Sequence, residues 1–179
     1  MLTALQLIKS NGIQGASMAD ISSVSGVAVG TIYHHFDSRE SLIDALRAQV
    51  AEQLAQALSA GIQSKGTPKD KIMGLWNNAW AFFVKNQLAA SFLDQYATTA
   101  LGATANGMLK SKELAGVNDL LKDAIKQGKV RKVEPELLFE WMMAAILTTL
   151  RVSNNKNMSS LSKKSIEAGA EMCWAAFKA

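Results

Sequence analysis

Apolar residues recur at three- and four-residue intervals along almost the whole chain, and no stretch alternates with period two for long enough to read as a strand. The pattern predicts an all-α protein of about nine helices. After a first amphipathic helix carrying polar Gln6, Lys9 and Ser10, Ser17 stands as an N-cap before Met18, Ile21 and Val24. Their spacing buries one face of a short helix that runs to about Ser25. Gly26 supplies the freedom of a tight turn, and Val27 is the expected apolar plug behind it. A second short helix then starts near Ala28 and carries Ile32 inward. Its other side is left open, which is the layout of a helix-turn-helix that reads DNA.

Asp37 and Glu40 stand at capping-box spacing with Phe36 before them, so a long helix is expected from near Ser38 to about Ile62. The clearest linker is Gln63 to Pro68, with Thr67 as cap and Pro68 at the first helical position. A fifth helix follows to about Asn86. It carries Ile72, Leu75, Trp76, Ala79, Phe82 and Phe83 on one side and Met73, Trp80 and Val84 on others, the mark of a central, buried helix. A sixth covers Leu88 to about Thr99, and LGATANG reads as a bend. A seventh runs from about Ser111 to Gln127, with Gly116 where a break would fall and Gly128 placed to end it. Glu134-Pro135 opens an eighth to about Val152, VSNNKNMSS is a polar surface loop, and the last helix occupies Leu161 to Phe177. The division expected is a DNA-binding domain at 1–45 and a helical body at 46–179.

The segment GVAVGTIYHHFDSRESL resembles the TetR family of bacterial transcriptional regulators, whose pattern here is close to G-V-S-x-G-x-L-Y-x-H-F-x-[ST]-K-[ED]-x-L. Gly26, Val27, Gly30, Tyr33, His35, Phe36, Ser38, Glu40 and Leu42 stand in that register. The likeness extends upstream through ALQLIKSNGIQGASMADIS and is only architectural beyond about residue 55. It implies that Ala28, Val29, Gly30 and Thr31 open the recognition helix at the bases and that Tyr33 and His34 meet phosphate and groove. His35 either braces Phe36 or touches DNA. Ala28 and Val29 offer only apolar contact, which suits a thymine methyl. Ser17 and Met18 open the preceding helix, where a phosphate can be held. Three departures stand out. Ala28 replaces the usual capping Ser or Thr, so packing must hold that helix. Arg39 replaces a phosphate-binding Lys, a role a guanidinium can fill. The basic N-terminal extension common in the family is missing, as though the first helix were cut short.

The 179 residues, 49% of them apolar, suffice for a real core. The net charge of +4 does not come from the head: residues 1–50 hold Lys9, Arg39 and Arg47 against Asp20, Asp37, Glu40 and Asp44, a net −1. DNA affinity would thus depend on a few placed groups, backbone N–H donors and helix N-termini. The lone Cys173 excludes an internal disulfide framework and suits a reducing compartment. No secretory signal is visible, and the longest apolar run, Trp141 to Leu150, falls short of a membrane span, so a cytoplasmic protein is expected. His34 and His35 point about 100° apart on a helix and form no metal site unaided. No phosphate loop, dinucleotide fingerprint or nucleophile elbow is present, so neither an enzyme nor a cofactor is expected.

In the body, Trp76, Trp80, Phe83, Phe92, Tyr96, Met108 and Trp141 are each more readily core than ligand contact. As a set, and with the effector pocket that the resemblance implies, they point to a small apolar or aromatic effector. Ser165, Ala168, Gly169, Met172, Cys173 and Ala176 form a small-residue stripe on the last helix. With the eighth helix it is the candidate two-fold, four-helix interface of a homodimer. The reading is a ligand-responsive regulator, a repressor by the habit of the family, on double-stranded operator DNA. A helical ligand-binding or scaffold protein that has lost operator binding stays open, given the near-neutral head, Ala28 and the missing arm.

Overall fold

The computed structural model describes residues 1–60, 66–99, 107–153 and 162–179. The LGATANG bend and the VSNNKNMSS loop lie almost wholly outside the described residues, as does the expected end of the long helix past Ala60. Nine α-helices stand among the described residues: α1 (Leu2–Gly15), α2 (Met18–Ser25), α3 (Val29–His35), α4 (Arg39–Ser59), α5 (Pro68–Lys85), α6 (Gln87–Tyr96), α7 (Ala115–Lys126), α8 (Pro135–Ser153) and α9 (Lys163–Phe177). No strand occurs among them; Val130 and Lys178 form an isolated antiparallel bridge. None of these helices is long and apolar enough to cross a membrane.

Two compact units are formed, one by Met1–Ala51 with Asn86–Ala105 and the other by Glu52–Lys85 with Asn106–Ala179. In the first, α1 packs on α2 and α6, and α2 packs on α3. Contacts thus group α6 with the helices of the head. Its core includes Ile8, Ile43, Leu46 and Phe92, all nearly inaccessible. Tyr96 adds a hydroxyl that donates to Asp44 at 3.5 Å. Burial and the nearby Asp44 carboxylate both push the Tyr96 phenol above its ordinary value of 10.0.

In the second unit, α5 packs against α8 and α9, and α7 against α8. The box Thr67–Asp70 opens α5: Thr67 N–H reaches the Asp70 carboxylate at 3.1 Å and Asp70 N–H reaches the Thr67 hydroxyl at 3.2 Å. Pro68 is its first residue, as expected. Asn78 of α5 donates to the carbonyls of Leu58 and Ala60 at 3.0 and 2.7 Å, closing the end of α4. Two local expectations shift. The box that starts α4 is Ser38–Ser41, each backbone N–H bonded to the other's hydroxyl, and not Asp37–Glu40. The stretch before α7 forms two 3-10 turns, Met108–Lys110 and Lys112–Leu114, so the break falls at Leu114 and not at Gly116. Gly128, at φ 65°, follows the end of α7.

Candidate nucleic-acid interface

Ser17 caps α2 through a complete box, its hydroxyl accepting from Asp20 N–H at 3.1 Å while Asp20 accepts from Ser17 N–H at 3.3 Å. The Ser17 hydroxyl also donates to that carboxylate at 2.5 Å. These bonds, the side-chain one first, hold the Asp20 carboxyl below its ordinary 3.8. The cap is therefore whole above that value and is lost as pH falls through the lowered one. Gly26 closes α2 at φ 72°, its N–H on Ser22 O. Ala28 starts α3 without a side-chain cap, its carbonyl taking Thr31 and Ile32 N–H at 2.9 and 3.2 Å.

On α3 only Ile32 is buried, 7% exposed, so the helix is pinned by one side chain. Its remaining surface is open: Val29 is 44% and Tyr33 49% exposed, and Ala28, Gly30, Thr31, His34 and His35 are exposed as well. The two imidazoles meet edge to face at 5.5 Å between ring centres. Two expectations are corrected. Val24 is 61% and Val27 42% exposed, so neither plugs the head; Met18 and Ile21 carry the inner face of α2 instead. Because Met18 is buried, only its backbone can serve a phosphate there, while Ser17 is exposed.

Arg39 is turned inward. Its Nε donates to the Ala16 carbonyl at 2.9 Å and its guanidinium also donates to the Ile13 carbonyl, with 22% of the side chain exposed. The group expected at a phosphate ties the end of α1 to the start of α4.

Residues 1–46 match the family described as bacterial regulatory proteins, tetR family, and residues 69–178 match a tetracyclin repressor-like C-terminal domain. The chain belongs to the TetR family. It is a DNA-binding transcriptional regulator of that family, with the helix-turn-helix in α2 and α3. A solved TetR-family regulator from Shewanella sp. PV-4 is 26% identical, with 99% of this chain and 95% of that one covered at a TM-score of 0.82. Another from Vibrio parahaemolyticus is 27% identical, with coverage of 99% and 96% at 0.74. The HTH-type transcriptional repressor KstR2 of Rhodococcus jostii is 29% identical over 68 residues, 36% of this chain and 33% of that one. The fatty acid metabolism regulator protein of Bacillus subtilis is 30% identical over 69 residues, 38% and 36%. The match thus spans about a third of these curated relatives.

Elsewhere in this TetR-family chain, the seven side chains expected at an effector are divided. Phe92 and Tyr96 lie in the unit of the head, ring centres 5.7 Å apart. Trp76, Trp80 and Phe83 are buried in the other unit, where Met108 is half-buried. Trp141 is 45% exposed and meets Phe177 edge to face at 5.5 Å. The second unit also has a groove of about 510 Å³ lined by Glu52, Ala55, Gln56, Ser59, Lys112 and Glu113, which are polar or charged apart from Ala55 and include no aromatic ring. The stripe on α9 splits as well. Ser165, Ala168 and Met172 are exposed and Ala176 is half-buried, but Gly169 abuts Trp76 of the same chain and Cys173 is buried. Burial pushes the Cys173 thiol up to about 12, which leaves it a small hydrophobe.

Proposed function

We propose that this TetR-family chain is a homodimeric repressor in the cytoplasm, bound to a pseudo-palindromic operator and released when a small apolar or aromatic effector enters its body. The observation that carries the operator reading is α3, anchored by Ile32 alone and open along Val29, Gly30, Thr31, Tyr33 and His34. A helix with one inward residue presents most of its surface to a groove. The matched Rhodococcus relative, a repressor by name, favours repression. Trp76, Trp80 and Phe83 are 4%, 7% and 0% exposed, so an effector must displace them to bind, and that displacement couples binding to a change of conformer. Taking a two-state protein from 99:1 to 1:99 needs about 5.5 kcal/mol of preference for the non-binding conformer.

Selection from a random duplex library tests the reading. We expect a pseudo-palindrome whose half-sites lie about 34–36 Å apart, bound by two chains, with affinity falling steeply as salt rises. Failure to enrich any sequence would leave a helical ligand-binding protein as the better reading.

A further inference from the structure

α1 is not one continuous helix. At Gly12 the backbone turns to φ 79°, ψ 161°, and the helical ladder breaks there. A break exposes polar backbone groups that need partners. Gln95, on α6 and 82 residues away, supplies both kinds: its Oε1 accepts Ile13 N–H at 2.9 Å, and its Nε2 donates to the Ile8 carbonyl at 3.2 Å. A further contact from Nε2 to the Ser91 hydroxyl, also 3.2 Å, holds the amide in this orientation. Beyond the break, the carbonyls of Ile13 and Ala16 are taken by Arg39. The short piece Ile13–Ala16, which delivers the chain to the Ser17 cap, is thus held by side chains from α4 and α6.

We propose that Gln95 is a positioning residue for DNA binding: its amide bridges the broken α1 at Ile8 and Ile13 and thereby fixes the angle at which α2 and α3 meet the duplex. Only a side chain with a donor and an acceptor side by side makes both bonds, which an amide can do and an ionised carboxylate or a thioether cannot. The proposal rests on DNA binding by the head. Loss of both bonds leaves the piece Ile13–Ala16 free to sample other poses, and apparent affinity falls with the fraction of chains in the competent one.

The test uses the full chain with the duplex that the wild type selects from a random library, and a scrambled duplex of equal length. Gln95→Met keeps the length and removes both bonds. The two lost bonds lower the melting point somewhat; measured well below it, affinity for the selected duplex should drop about ten-fold, with the scrambled duplex little changed. Gln95→Glu separates the hydrogen bonds from mere packing. Its carboxylate accepts from Ile13 N–H but repels the Ile8 carbonyl, whereas its protonated form can again accept and donate. Relative to wild type at each pH, binding should be weak at pH 8 and recover as pH falls toward about 5. Amide exchange at Ile13 should quicken in Gln95→Met without any DNA. Selection of no duplex by the wild type would sink the operator reading and this one with it. A wild-type-like Gln95→Met, a deficit in Gln95→Glu that is flat across pH, or a fall for both duplexes together with the melting point overturns the positioning role alone.

Discussion

Replacing Arg39 with Met removes two hydrogen bonds to the chain and one charge, and the two losses read out differently. A cation on a phosphate contributes to the salt dependence of binding, about one unit of slope for each contact. A guanidinium held by the Ile13 and Ala16 carbonyls contributes to the pose of the head instead. Arg39→Met is therefore expected to weaken operator binding about three- to ten-fold while leaving the slope of log K against log salt unchanged. Titrations at several salt concentrations check this; a slope lower by one unit would put Arg39 back on the phosphate. The caps show what a sequence discloses at this scale. Ser17 and Thr67 are legible because each partner lies three residues away. The target of Arg39 is 26 residues off and that of Gln95 is 82, distances over which no local pattern carries a signal.

At the scale of elements, helical spacing located the elements well because an apolar stripe is a property of one helix. Which edge of the stripe meets the core depends on the neighbours, and there the sequence was silent. Val24 and Val27 lie at plausible core positions of the head and are exposed, since α2 has its inner face completed by Met18 and Ile21. α9 shows the same in reverse. Its small-residue stripe straddles an edge, so that Gly169 approaches α5 while Met172 points away. A Cβ at Gly169 would lie 2.7 Å from Cζ2 of Trp76, a ring only 4% exposed. Gly169→Ala should therefore destabilise the chain by about 1–3 kcal/mol. In Trp76→Phe the outer indole ring is gone, and adding Gly169→Ala should cost much less there. Urea unfolding of the two single variants and the double variant gives the coupling. Additive losses would mean that the ring moves aside freely.

On the scale of the whole molecule, the feature that calls for an occupant is the outer face of the second unit. α8 exposes Leu137, Trp141 and Val152, at 56%, 45% and 40%, and α9 exposes Met172 at 70%. Successive offsets of four, and of eleven from Trp141 to Val152, keep the three α8 residues on one side of that helix. The Trp141–Phe177 contact joins α8 to the end of α9 within the chain, and both helices pack on α5. A second copy is the proposed cover, since the operator reading requires two heads and a symmetric dimer buries the same patch twice. Met172→Arg tests it with little risk to the fold, because a substitution at so exposed a side chain usually costs under about 0.5 kcal/mol in the monomer. In the dimer it would place two charges in an apolar seam. We expect the variant to sediment as a monomer with an unchanged melting curve at low concentration. Its affinity for the full operator should fall about a hundred-fold, because the second half-site is no longer bound at high effective concentration. Binding to a single half-site should stay as in the wild type. A variant that still sediments as a dimer and holds the full operator would place the interface away from Met172, and α8 alone would remain to be tried through Leu137→Arg.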